Sequence, residues 1–157
     1  MRTIIVGAGK VGYYLTKALR EDDYSVTIIE NDKQAGQFIA NSLDVPVVKG
    51  DGTSKRVLEM AGIEGCDALI AVTGCDEVNL ISCQIAKKVF NVPKTVAKVN
   101  NPKNAESLRM LGVDTVVSST ATIIKTFERE VDNSRIKELI PLNDGKAAVF
   151  ELTIPEN

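Results

Sequence analysis

Short apolar runs alternate down the chain with longer stretches in which apolar residues recur every three or four positions, and the rhythm repeats about six times. The short runs are Thr3–Val6, Ser25–Glu30, Pro46–Lys49, Asp67–Val72, Thr95–Val99 and Asp114–Val117. Runs this short and this continuously apolar predict strands buried on both faces. The stretches between them predict helices. The first starts at the glycines near position 10 and carries Val11, Leu15, Ala18 and Leu19 on one face. The second runs from Lys33 to about Ser42 behind an Asp32 N-cap, and the third runs through Met60 behind Thr53 or Ser54. The fourth, Asp76 to about Phe90, has Val78, Ile81, Ile85 and Val89 as its apolar stripe, and Asp76 is a candidate cap. The fifth covers Asn104 to Leu111.

Strand–helix alternation of this kind predicts an α/β fold: a Rossmann-type, doubly wound, parallel six-stranded sheet in the order 3-2-1-4-5-6. Ligand then sits beyond the carboxyl ends of strands one and four. The loops gathered there are Gly7–Gly12, Glu30-Asn31, Gly50–Thr53, Thr73–Asp76 and Lys98–Asn101.

The pattern changes after the sixth strand. Thr122 to Val131 reads as a helix with Ile123, Ile124 and Phe127 on one side and Lys125, Glu128, Arg129 and Glu130 on the other. The six-stranded sheet is already complete, so this stripe predicts a dimerisation helix covered by a partner subunit, or else a helix that folds back on the edge of its own sheet. Ile136, Leu139 and Ile140 add apolar surface, and Pro141–Gly145 reads as a linker or hairpin turn. Ala147–Ile154 is a final extra strand with no partner in the first sheet. The expected division is residues 1–135 as a nucleotide-binding domain including the crossover helix. Residues 136–157 are then a linker and the first strand of a second subdomain, or a strand that pairs with a neighbouring copy.

One turn carries chemistry. Gly7-Ala8-Gly9-Lys10-Val11-Gly12 has the spacing G-x-G-x-x-G between the first strand and the first helix, which is the context a dinucleotide fingerprint requires. Gly7 makes the tight turn, Gly9 lets a pyrophosphate approach the backbone, and Gly12 packs the helix on the strand. The free amides at the helix start face the phosphates. Glu30 ends the second strand 18 residues after Gly12, where an acidic side chain accepts hydrogen bonds from the adenosine ribose. A carboxylate there repels a 2′-phosphate, which favours NAD(H) over NADP(H). Thr73-Gly74 follows the fourth strand, where either a ligand contact or a plain strand-to-helix turn fits. Lys98, in the fifth strand, needs a phosphate or a carboxylate such as Asp51 if it is buried. Asp51 reaches adenosine, pairs with a cation, or serves only its turn. Lys10 adds positive charge to the loop or stays in solvent.

Composition narrows the reading. The chain has 157 residues, which predicts one main domain, and its 44% hydrophobic content is too high for disorder. A net charge of −2 with no basic stripe speaks against nucleic-acid binding. No apolar run reaches the roughly 20 residues needed to cross a bilayer. Met1-Arg2 leads directly into a strand, so no signal peptide is expected. Cys66, Cys75 and Cys83 are odd in number, without a C-x-x-C, and there is no histidine. That spacing predicts reduced thiols, with Cys75 partly exposed, rather than zinc or disulfides. It also leaves no catalytic set.

Taken together, Ile5-Val-Gly-Ala-Gly-Lys-Val-Gly12, the strand end Ile29-Glu30-Asn-Asp, the turn Gly50-Asp-Gly-Thr53, and Asp67–Thr73 with Asp76-Glu-Val-Asn79 resemble the N-terminal RCK (KTN) domain of TrkA-type potassium-uptake proteins. The resemblance covers residues 1 to about 135, and the final strand resembles the opening of that family's C-terminal subdomain. It implies a cytoplasmic regulator at the inner face of the membrane, attached to a potassium transporter or channel subunit of TrkH or KtrB type. It implies binding of NAD(H), and in some members ATP or ADP, and homodimers that assemble into a ring. The family's cofactor positions map to Gly7 through Val11, Glu30, Thr73-Gly74 and Lys98. Its helix after strand six crosses to the dimer partner. Some members carry a cation-binding carboxylate just after strand six; Ser118-Ser-Thr-Ala121 has none. The alternative reading is the cofactor half of an NAD-dependent dehydrogenase.

Overall fold

The computed structural model describes residues 1–131 and the strands 136–142 and 147–152. By contact density the chain divides into two compact units, Met1–Ser119 and Thr120–Asn157.

In the first unit the elements run β1 (Arg2–Val6), α1 (Lys10–Glu21), β2 (Ser25–Glu30), α2 (Lys33–Leu43), β3 (Val47–Lys49) and α3 (Lys55–Met60). They continue with β4 (Ala68–Ala71), α4 (Asp76–Lys88), β5 (Lys94–Val99), a 3-10 turn at Pro102–Asn104, α5 (Ala105–Met110) and β6 (Thr115–Ser118). The six strands form one sheet in the order β3-β2-β1-β4-β5-β6, and every pairing is parallel. The expected Rossmann-type order is therefore the observed one. The order reverses between β1 and β4, which opens a crevice at their carboxyl ends.

Helices cover both faces, and side chains alternate between them along each strand. Ile5 and Ile28 point to the side packed by Tyr13, Leu15 and Leu19 of α1 and by Ile39 of α2. Ile4, Val6, Leu69, Ala71, Ala97 and Val99 point to the other, where Leu58, Cys83, Ala86 and Leu108 meet them. Asp32 caps α2 as expected, its carboxylate accepting from the Ala35 amide at 2.7 Å. Ser54 holds the N-cap position of α3 but makes no side-chain cap bond.

Two helix faces differ from the apolar pattern. In α4 the buried residues are Asp76, Asn79, Ser82, Cys83 and Ala86, while Ile81 and Val89 of the expected stripe are exposed. In α1 the buried positions are Gly12 and Thr16, and Val11 is exposed. The reason is the same in both. Small side chains let a helix approach the sheet, and several of the polar ones are satisfied locally; Thr16 Oγ1 donates to the Gly12 carbonyl at 2.7 Å.

The second unit holds most of α6 (Ser119–Val131) and an antiparallel pair, β7 (Ile136–Leu142) with β8 (Ala147–Leu152). Helix α6 starts three residues before the expected Thr122, and Ile123, Ile124 and Phe127 are exposed. The last strand is not alone. Ile136–Leu142, read from sequence as added apolar surface leading to a turn, is its partner. A register shift between Glu138 and Ile140 breaks the two-residue alternation there, which hides the strand from a periodicity reading. The rest of the expected turn at 143–145, the end of the expected strand at 153–154 and the boundary after residue 135 lie outside the described residues.

Candidate functional site

The crevice beyond β1 and β4 is a cavity of about 540 Å³. Of the residues singled out from sequence, Gly7, Gly9, Lys10, Val11, Glu30, Asp51, Thr73, Gly74 and Lys98 line it. Ala8 and Gly12 do not; they shape it from behind.

The glycine loop explains itself residue by residue. Gly7 has φ +108°, in the region that side chains rarely adopt, and its turn brings α1 back over the sheet. At Gly12 an added Cβ would run into the Gly7 carbonyl oxygen, so the helix passes too close for any side chain. Gly9 is different. Nothing lies within 4 Å of where its Cβ would be, so its lack of a side chain leaves open space on the cavity side. Gly9 is the N-cap of α1, with no side-chain cap bond and no acidic residue in the first turn. The helix start therefore presents amides and a positive dipole end to the cavity, an arrangement suited to an anion.

Glu30 sits half-buried between loop and strand. Its Oε2 accepts from the Ala8 amide at 2.6 Å and its Oε1 from the Asp32 amide at 2.7 Å. A carboxylate has about four lone-pair sites, so acceptor capacity remains toward the cavity. Asp51 serves its own turn: Oδ1 accepts from the Thr53 amide and the Thr53 hydroxyl, both at 2.8 Å. An Asp51–Lys98 ion pair, one of the alternatives raised from the sequence, is not among those of the described residues. Lys98 is half-buried at the cavity wall, and none of the three ion pairs among the described residues involves it.

Behind the far wall lies a network that sequence reasoning missed. Asp76 does not cap α4; Cys75 occupies the N-cap position. The Asp76 carboxylate instead accepts from the Asn100 amide at 2.6 Å, Asn100 Nδ2 at 2.8 Å, the Asn101 amide at 3.1 Å and Asn104 Nδ2 at 2.8 Å. Burial raises its pKa, but those hydrogen bonds outweigh burial and hold it below the usual carboxylate value. Asn79, fully buried, bonds to Thr73 and to the Lys98 carbonyl. The sequence signals were the Asp76-Glu-Val-Asn79 motif, which carried the resemblance but no bonding role, and the residue type of Asn100, Asn101 and Asn104 after the fifth strand. Cys75 is exposed, as expected, and lines the cavity, while Cys66 and Cys83 are buried. Among the described residues no group of three or more His, Cys, Asp or Glu is placed to hold a metal ion. No described helix is long and apolar enough to cross a membrane.

Residues 3–119 match the TrkA-N domain family, three quarters of the chain. The chain belongs to the TrkA-N family. Over 154 residues it is 35% identical to a Trk system potassium uptake protein TrkA homolog of Methanothermobacter thermautotrophicus, covering 98% of this chain and 71% of that protein. The fold is that of other TrkA-N domains. The one from the Escherichia coli inner membrane protein ybaL superposes with a TM-score of 0.76 at 19% identity, over 83% of this chain and 96% of that one. A structure described as the GsuK channel bound to NAD superposes with a TM-score of 0.71 at 20% identity, over 82% of this chain and 23% of that one. Two of the expectations drawn from the sequence, the TrkA-N family and its Rossmann-type sheet, are thereby met.

Proposed function

We propose that this chain is the nucleotide-sensing part of a cytoplasmic regulator of potassium uptake. It binds NAD(H) or an adenine nucleotide in the crevice and passes its state to a membrane potassium transporter or channel subunit of TrkH or KtrB type. The observation that carries this is the pairing, within one cavity, of an uncapped helix start with a carboxylate 18 positions beyond Gly12. The first suits a diphosphate and the second an adenosine ribose. The NAD described for the GsuK neighbour and the potassium-uptake name of the archaeal relative support the same reading.

The contacts fall to named groups. The Gly9, Lys10 and Val11 backbone faces the phosphates, Glu30 takes the adenosine ribose, and Thr73, Gly74 and Lys98 line the farther half. Gly7, Ala8 and Gly12 hold the loop in shape, and Asp51 rims the adenosine side. No bond is made or broken; the regulator acts as a binder. A ligand shifts a two-state assembly only through different affinities for its states.

The exposed Ile123, Ile124 and Phe127 of α6 make a homodimer face, and the dimers build a ring. In this reading residues 1–135 are the nucleotide-binding domain with its crossover helix, and 136–157 begin a second subdomain. Calorimetry of the purified chain with NADH, NAD and ATP tests the proposal. Binding of at least one is expected; no heat from any at millimolar concentration ends it.

A further inference from the structure

The Asn79 side chain is fully buried, and every polar atom in it faces a partner of known character. Its Oδ1 lies 2.9 Å from the Thr73 amide, which can only donate. Its Nδ2 lies 2.8 Å from the Lys98 carbonyl and 3.2 Å from the Thr73 carbonyl, which can only accept. These three backbone groups fix which end of the carboxamide is oxygen. The Thr73 hydroxyl, 2.7 Å from that same Oδ1, must therefore be the donor in that contact. Its alternative acceptor, the Cys75 carbonyl at 3.1 Å, also belongs to the protein. The Cys75 amide at 3.2 Å takes one lone pair of the hydroxyl oxygen. The hydroxyl proton is thus spent inside the protein, and one lone pair of the oxygen is taken by no protein donor, while Thr73 is among the residues that line the cavity.

Strand order says what that lone pair meets. If the adenosine ribose is at Glu30 on β2 and the diphosphate lies over β1 at the α1 start, β4 is the next strand along. Its end lies about 10 Å from that of β2, at the ordinary strand spacing. That is the far side of the diphosphate, where a dinucleotide carries its second ribose. A phosphate oxygen brings no proton and would be repelled by the lone pair. A sugar hydroxyl brings one.

We propose that Asn79 is a positioning residue that holds Thr73 as a one-way acceptor for a hydroxyl of the ligand's second ribose, so that the pair selects a dinucleotide over a mononucleotide. The same carboxamide joins the ends of β4 and β5, so Thr73 and Lys98 present one wall. This inference rests on the nucleotide-binding reading above and names the half of the ligand that the far wall recognises.

The test is the ratio of NADH to ADP affinity, measured by calorimetry on the parent chain and on Thr73→Val, Thr73→Ser and Asn79→Ala. Thr73→Val and Asn79→Ala should lower the ratio about tenfold, the size of one hydrogen bond, and Thr73→Ser should keep it. On the parent chain ADP-ribose, which carries the second ribose without nicotinamide, should bind more tightly than ADP. A purely structural role for Asn79 would weaken both ligands alike and leave the ratio unchanged, which overturns the proposal. So would equal affinity of the parent chain for ADP-ribose and ADP, a comparison that needs no variant to fold. A parent chain that binds neither NADH nor ADP defeats the nucleotide reading itself.

Discussion

The Glu30 carboxylate reaches back across 22 positions to accept the Ala8 amide at 2.6 Å. One oxygen therefore ties the end of β2 to the glycine loop, and its partner oxygen closes the turn at Asp32. Glu30→Ala removes the proposed ribose acceptor and unties the loop at once. Hydrogen bonds to a charged group are worth about 1.5–3 kcal/mol, so nucleotide affinity should fall about tenfold to a hundredfold. Calorimetry with NADH and ATP checks this. Similar losses for both are expected, because adenosine ribose is common to both; unchanged affinity removes the assigned role.

The loop glycines should separate by phenotype. Gly12→Ala puts a Cβ against the Gly7 carbonyl and forces α1 off the sheet. Overpacking of this kind costs about 1–3 kcal/mol, seen as a lowered Tm. Gly9→Ala meets open space, so its Tm should stay near the parent value while nucleotide binding weakens. Thermal melts with and without NADH distinguish the two. Equal Tm losses would mean that Gly9 is structural after all.

Acid should loosen the structure through two carboxylates. Asp76 is held below the usual range by its asparagine donors against the opposing effect of burial. Asp114 is held down likewise, by Lys87 and Thr95. A carboxyl with a lowered folded pKa contributes stability that is full above its unfolded value, about 3.9 for aspartate, and is lost as pH falls through the folded one. Tm should therefore hold between neutrality and about pH 5 and fall below about pH 4. Asp76→Ala leaves four donors without their acceptor, costs about 1–3 kcal/mol at neutral pH and flattens the acid limb. A limb of unchanged steepness in that variant would assign the acid sensitivity elsewhere.

The three thiols should report on the cavity. Cys75 is exposed at its wall. Burial raises the pKa of the Cys66 thiol, and it pushes Cys83 up to about 12. A thiol reagent at pH 8 should label Cys75 rapidly in the native chain and the other two only on unfolding. Saturating NADH should slow that labelling, read by mass spectrometry. A rate indifferent to nucleotide would show that Cys75 stays uncovered.

The α6 face gives the last expectation. Phe127→Asp puts a charge among Ile123, Ile124 and Val131, which are all exposed. If α6 carries the proposed homodimer face, light scattering should show the parent chain as a dimer and this variant as a monomer. A monomeric parent chain, or a variant that stays dimeric, would overturn that assignment of the face.

The sheet order was legible because fully buried parallel strands must be short and apolar, and Thr3–Val6 and Asp67–Val72 have little room for another reading. The glycine loop was legible because strand, turn and helix had to follow in that order around Gly7 and Gly12. The helix faces were not, because Thr16, Asn79 and Ser82 are buried for their size and bonding rather than for their hydrophobicity. The network behind the far wall was hidden for a related reason: Asp76 meets its partners 24 to 28 positions away, and nothing local marks them. The strand at Ile136–Leu142 was masked by its irregular register and by Pro141, a residue tolerated at sheet edges.

Four donors converge on Asp76, whereas only two amides lean on Glu30. The Asp76 network, which lies behind the cavity wall, is thus tied by more hydrogen bonds than the Glu30 side. A sugar hydroxyl at Glu30 would share a carboxylate whose two oxygens already accept one amide each. Under the proposed function the more lightly tied side is the loop assigned to the diphosphate, so the arrival of a ligand would be felt there first.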